Sequence, residues 1–228
     1  MTQTDAPPAA PALVVDVSDQ GELEAEAAQV RTRDRVRELA EVFTHKREVD
    51  AMLDMLPATV FTDVDAKFLE PACGSGNFVV EILARKLAAV TRDAADDQGT
   101  GEYLMLRAVA SIYGVDISEQ NITEARARAA LVLTRHYHRQ WPTIEPSAGF
   151  QSAAVLILHS NLVVGDTLNA ADQIELCDWQ PHSDGRFQRV WSNALVPEEE
   201  QDLFSVDRVQ DPEPVHYSQL SNVEPGEG

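Results

Sequence analysis

The apolar positions of the chain fall first into helical spacing. Leu23, Ala27, Val30, Leu39 and Val42 predict a helix over 22–42. Val49, Met52, Leu53 and Leu56 predict a second helix, stopped at Pro57. A short apolar strand over 66–70 then ends in Glu70. Val79, Ile82, Leu83, Leu87 and Val90 restore the helical period. The stretch 91–102 is polar and turn-rich and reads as a surface loop. Residues 103–111 read as a helix and 113–117 as the next strand. Ser118 then caps a helix carrying Ile122, Ala125, Ala129 and Leu133. A loop with Pro142 and Pro146 precedes a helical patch at 150–159. Residues 161–166 form another strand, ending in Asp166. Strands alternate with helices, which predicts an α/β fold: a parallel sheet covered on both faces.

The two ends read differently from the middle. Residues 1–20 are rich in Ala, Pro, Asp and Gln and read as a disordered leader. From Pro197 onward acids far outnumber the single Arg208, prolines recur and periodicity is lost. That predicts an acidic, mostly disordered tail over 197–228. One domain, 21–196, remains. At 44% hydrophobic residues it can bury a core. No apolar run approaches the about 18 residues of a membrane span. Residues 1–11 lack the basic and apolar regions of a secretory signal. Cys73 and Cys177 lie far apart and make no disulfide framework or metal-spacing pattern, so a reducing cytoplasm is expected. The formal net charge is -20. That works against the chain gripping DNA alone, because phosphate neutralisation supplies most non-specific affinity. Two arginine groups, Arg31, Arg33, Arg35, Arg37 and Arg126, Arg128, Arg135, Arg139, read as solvated helix faces, with a local basic patch as the alternative.

The chemistry concentrates in Phe68-Leu69-Glu70-Pro71-Ala72-Cys73-Gly74-Ser75-Gly76-Asn77-Phe78. A strand ends in an acid, turns through small residues and restarts as a helix. Glycines let backbone approach a ligand closely, and a helix N-terminus suits a carboxylate or phosphate. A P-loop would need Gly-Lys-Ser/Thr, which is absent. The dinucleotide fingerprint fails because Val79 stands at its third glycine. Acids recur at strand ends: Glu70, Asp116 and Asp166. Ligands in open α/β sheets bind beyond those ends.

The remaining pattern, acid-Pro-x-x-Gly-x-Gly-x-Phe, resembles the first motif of S-adenosylmethionine-dependent N6-adenine DNA methyltransferases of restriction–modification systems. The usual text there is close to Asp-Pro-Ala-Cys-Gly-Ser-Gly-x-Phe; here Glu70 replaces the aspartate. The resemblance covers about 38–170. It implies a Rossmann-like methyltransferase sheet with helices on both faces, and S-adenosyl-L-methionine as cofactor. It implies that Glu70, Pro71, Ala72, Cys73, Gly74, Gly76 and Phe78 line the cofactor, and that Asp116, with Ile117, serves the ribose. Asp166 would bind the adenine amino group of the cofactor. Glu41-Val42-Phe43-Thr44 partly matches a further motif, so Phe43 and Thr44 would close over the methionine end, although His45 replaces the family's proline. That placement gives the gamma-class motif order.

The family's catalytic Asn/Asp-Pro-Pro-Tyr/Phe is missing. Its nearest counterpart aligns Asn193 with the catalytic asparagine, with Ala194, Leu195 and Val196 replacing the two prolines and the aromatic residue. The same region also reads as a β-hairpin, 174–179 and 186–191, turning near Asp184-Gly185. Both alternatives stand at this point. The resemblance therefore implies an adenine-N6 DNA methyltransferase or its cofactor-binding subunit, acting on DNA with a partner protein for target recognition. The alternatives are a non-catalytic cofactor-binding or regulatory protein, and a methyltransferase acting on RNA or protein. No metal is expected.

Overall fold

The computed structural model describes residues 44–93, 97–193 and 209–223. The leader, the helix expected over 22–42, and Phe43 lie outside them, as do 194–208 and 224–228.

Two short helices, α1 (Lys46–Leu53) and α2 (Thr59–Thr62), lead into strand β1 (Phe68–Glu70). Lys86 fixes that approach. Its buried ammonium donates to the carbonyls of Asp63, Val64 and Ala66 at 3.0, 3.1 and 2.7 Å, and burial lowers its pKa to about 8. Helices α3 (Asn77–Asp93) and α4 (Gln98–Ala110) separate β1 from β2 (Ile112–Asp116). Helices α5 (Glu119–Gln140) and α6 (Ala148–Asn161) separate β2 from β3 (Leu162–Val164). Residues 98–102, expected in a surface loop, belong to α4 instead. Asp97 caps that helix by accepting from Thr100 N–H at 2.7 Å, which overrides the polar composition.

The three strands form one parallel sheet in the order β1-β2-β3, with Glu70 opposite Gly114 and Asp116 opposite Val164. Strand alternation separates its faces. Ile112 and Leu162 join the main core with Leu83, Leu87, Leu133 and Ile157 from the helices. Tyr113, Val115 and Val163 point the other way and meet Ile174 and Leu176. Among the described residues this second face meets Ile174, in the turn before a strand, and Leu176, the first residue of that strand, where helices were expected on both faces.

That strand is β4 (Leu176–His182), paired antiparallel with β5 (Arg186–Ser192). The hairpin turns through Asp184 and Gly185, at φ 59° and 75°, as its Asp-Gly sequence predicts. Trp179 anchors it to the helical side by donating from its indole N–H to Asn161 Oδ1 at 2.9 Å.

The segment 209–223 is packed, contrary to the expectation of a disordered tail. Strands β6 (Val209–Gln210) and β7 (Val215–His216) pair with β5, and a 3-10 turn follows (Tyr217–Asn222). Buried Asp211 takes a two-pronged bond from buried Arg189, Nε to Oδ2 at 2.8 Å and Nη2 to Oδ1 at 2.9 Å. The Tyr217 hydroxyl donates to Glu102 Oε2 at 2.9 Å, and Leu220 is fully buried. Glu102 also accepts from Ser147 N–H and Ser147 Oγ, at 2.8 and 2.6 Å. One buried carboxylate thus joins α4, the cap of α6 and the C-terminal segment. Among the described residues no helix is long and apolar enough to cross a membrane.

Removing one partner of a buried ion pair leaves an uncompensated charge. Asp211→Ala is expected to cost about 3–5 kcal/mol in urea unfolding. The double variant Arg189→Met with Asp211→Leu is expected to lose less than Asp211→Ala alone. A double variant as unstable as Asp211→Ala, or more so, would contradict this.

Candidate functional site

β1 stops because Pro71 has no N–H for a ladder. The chain then turns over the end of β2, where Cys73 N–H donates to the Val115 carbonyl at 2.8 Å and Gly76 N–H to the Cys73 carbonyl at 2.8 Å. Gly74 and Gly76 have φ of 53° and 87°, a region that favours glycine. They differ in surroundings. A Cβ on Gly74 would meet nothing within 4 Å, whereas one on Gly76 would lie 2.9 Å from the Ala125 Cβ. Gly76 admits α5; Gly74 faces open space.

Asp116, the last residue of β2, holds this turn. Its Oδ2 accepts from Gly74 N–H at 2.9 Å. Its Oδ1 accepts from Ser118 N–H at 2.9 Å and from Asn121 Nδ2 at 3.1 Å. The carboxylate also lies at the positive N-terminal end of α5, which favours its charge. Ser118 caps that helix through a 3.3 Å bond from Asn121 N–H.

Two supporting residues escaped the sequence reading. One is Asn121. The other is Arg128, assigned to a solvated face. Its Nη1 donates to the Ser75 carbonyl at 2.7 Å and to Asn77 Oδ1 at 2.8 Å. Asn121, Ala125 and Arg128 lie at i, i+4 and i+7, so one stripe of α5 faces the loop. That spacing was available as a signal. Arg126 is not a solvated residue either: its guanidinium donates to the Leu162 carbonyl at 2.9 Å from Nε and 2.6 Å from Nη2.

The remaining candidates divide. Thr44 is brought to the loop, its carbonyl accepting from Asn77 Nδ2 at 2.9 Å. Pro71 and Ala72 are exposed, and the Pro71 carbonyl accepts from Thr167 Oγ1 at 3.1 Å, joining the loops after β1 and β3. Glu70 Oε1 accepts from Ala72 N–H at 3.3 Å. Ile117 is 64% exposed beside Asp116. Cys73 is buried with its sulfur against Gly114, so it offers the loop only backbone. Burial, with Asp116 and Glu70 adding negative charge, pushes its thiol up to about 12. Phe78 packs half-buried against the core.

Asp166 follows β3 but turns inward on its own loop. It accepts from Leu168 and Asn169 N–H, each at 3.0 Å, and from Asn169 Nδ2 at 2.8 Å. The Asn169 side chain and these backbone bonds hold its carboxyl below the usual range. Asn193 follows the antiparallel strand β5, not a strand of the parallel sheet, and its amide donates to the Asp172 carbonyl at 2.7 Å. The hairpin alternative is the one the backbone adopts. Among the described residues no group of three or more His, Cys, Asp or Glu is placed to hold a metal ion.

No protein-family model, curated protein or solved structure matches the chain.

Because Asp116 pairs three donors, its loss should reach the fold as well as any ligand. Asp116→Ala is expected to destabilise the chain by about 2 kcal/mol, the scale of polar groups left unpaired. Thermal unfolding checks this. An unchanged Tm would mean that the carboxylate does not hold the turn.

Proposed function

We propose that the chain binds S-adenosyl-L-methionine beyond the C-terminal ends of β1, β2 and β3, on a Rossmann-like sheet. It would serve as the cofactor-binding part of an adenine-N6 DNA methyltransferase of the restriction–modification type. A partner protein would supply DNA recognition. The observation that carries this reading is the left-handed Gly74 turn, open on its outer side and bonded directly to Asp116.

The residues present fit such a cofactor. The start of α3 offers a positive dipole end for an amino-acid carboxylate. Asp116 Oδ2 can accept from a ribose hydroxyl. The exposed side chain of Ile117 offers apolar surface for a purine. Bound there, the cofactor would supply an electrophilic methyl group. Two buried free thiols, Cys73 and Cys177, fit a reducing compartment such as the cytoplasm.

The base-holding half is a different matter. Among the described residues β1 pairs only with β2, so the glycine loop rises from an edge strand. Ligand crevices in open sheets form where strand order reverses, which needs a strand on the far side of β1. Asn193, tied to the hairpin, offers no platform for an extruded adenine. The position of Asn193 supports a partner that supplies the base-holding residues. It equally favours a second reading, a non-catalytic cofactor-binding or regulatory protein.

Calorimetric titration with S-adenosylhomocysteine is expected to show saturable, micromolar-range binding. Gly74→Val is expected to abolish it, because a β-branched side chain is strained at that φ and fills the open space. A folded wild-type chain that takes up no ligand would overturn the reading. A second outcome concerns turnover: with labelled cofactor and mixed-sequence duplex DNA, the isolated chain is expected to transfer no detectable methyl. Robust transfer that disappears in Asn193→Ala would contradict the assignment of catalysis to a partner.

A further inference from the structure

Helices α3 and α5 leave a groove of about 430 Å³ between them. Leu87 and Val132 form its floor. Ala84 and Ala88, one turn apart on α3, are exposed along one side, and their short side chains leave room for a further helix to lie close. Arg135 and Arg139, one turn apart on α5, line the other side. An apolar floor beside two guanidiniums fits a segment that carries apolar side chains and carboxylates on one face.

The chain itself enters at one end of this groove. Thr44 is held at the start of α3, where its carbonyl accepts from Asn77 Nδ2 at 2.9 Å. Residues 22–42 lie outside the described residues. Their sequence places Leu23, Ala27, Val30, Asp34, Glu38 and Glu41 three or four apart, a single helical stripe that is apolar first and acidic after. Arg31, Arg33, Arg35 and Arg37 lie off that stripe. At about 1.5 Å per residue, Glu38 and Asp34 fall about 9 and 15 Å before Thr44, and Ala84 and Ala88 about 10 and 16 Å beyond Asn77. A helix running back along α3 therefore brings its carboxylates level with the groove. The tether at Thr44 gives this segment an effective concentration that a free partner does not reach. A second copy is disfavoured by the net charge of -20 on each chain.

We propose that the segment 22–42 docks as a helix in the groove between α3 and α5, antiparallel to α3, with Asp34 and Glu38 set against Arg135 and Arg139. The contact covers the outer side of α3. It also holds Thr44, and with it the approach to the glycine turn, in place. It stands independently of the ligand reading above.

The test uses the full chain. Cys73 and Cys177 are buried, so a nitroxide attached to Thr32→Cys labels one site. Position 32 is two residues from Asp34 and so points away from the docked stripe. Amide signals of 84–88 and 132–139 are expected to broaden, and those of the hairpin at 176–192 to stay sharp. Broadening that is absent, or spread evenly over the chain, overturns the proposal. Labelled chain mixed with isotope-enriched unlabelled chain is expected to broaden nothing; broadening there assigns the groove to a second copy and overturns it as well. Arg135→Glu with Arg139→Glu is expected to weaken the broadening severalfold, and an unchanged pattern overturns the charge pairing on which the proposal rests. Should that variant fail to fold, salt decides. Raising NaCl from about 50 mM to about 1 M is expected to weaken the broadening severalfold, and no change overturns the proposal.

Discussion

The Asp116 carboxylate is where three parts of the chain are tied together. It ends β2, accepts from Gly74 in the loop after β1, and accepts from Ser118 and Asn121 at the start of α5. Each of those donors belongs to backbone or side chain that would otherwise lack a partner at the end of a strand or helix. The carboxylate sits at the N-terminal end of α5. From this point the geometry of the site spreads outward. Gly76 lets α5 close to 2.9 Å of where a Cβ would sit, and Arg128 reaches back from the same helix to the Ser75 carbonyl. Asn77 then joins the loop to Thr44.

Much of this was legible in the chain because it is local. The glycine loop needs only its own residues and the end of β2. The cap at Ser118, the acid ending β2 and the Asp184-Gly185 turn are all encoded within a few positions. The arginines of α5 were legible in principle. A charge run shows its direction only through its helical phase. At i+7 from Asn121, Arg128 shares the stripe that faces the loop, while its charge alone suggested solvent.

What was not legible depends on partners distant in sequence. The segment 209–223 looks like an acidic tail until Asp211 meets Arg189, and Tyr217 meets Glu102. Composition records the acids but not the buried cation that one of them pairs with. The second face of the sheet followed the same logic. Alternation along β2 required a cover for Tyr113 and Val115, but only the three-dimensional path shows that Ile174 and Leu176, at the entry to the hairpin, meet them. Asp166 ends a run of strand-like residues as expected, yet its carboxylate serves its own turn.

The result is a short parallel sheet whose glycine turn is bonded to Asp116 at the end of β2, with Ile174 and Leu176 packed against one face. The central claim is that this loop, together with the end of β2, is a binding site for a nucleoside cofactor. Hydrogen–deuterium exchange with and without saturating S-adenosylhomocysteine tests it most directly. The account predicts slower exchange confined to 72–78 and 116–121, with the hairpin at 176–192 unchanged. Protection of the hairpin alone, or unchanged exchange in both loop segments, would contradict it.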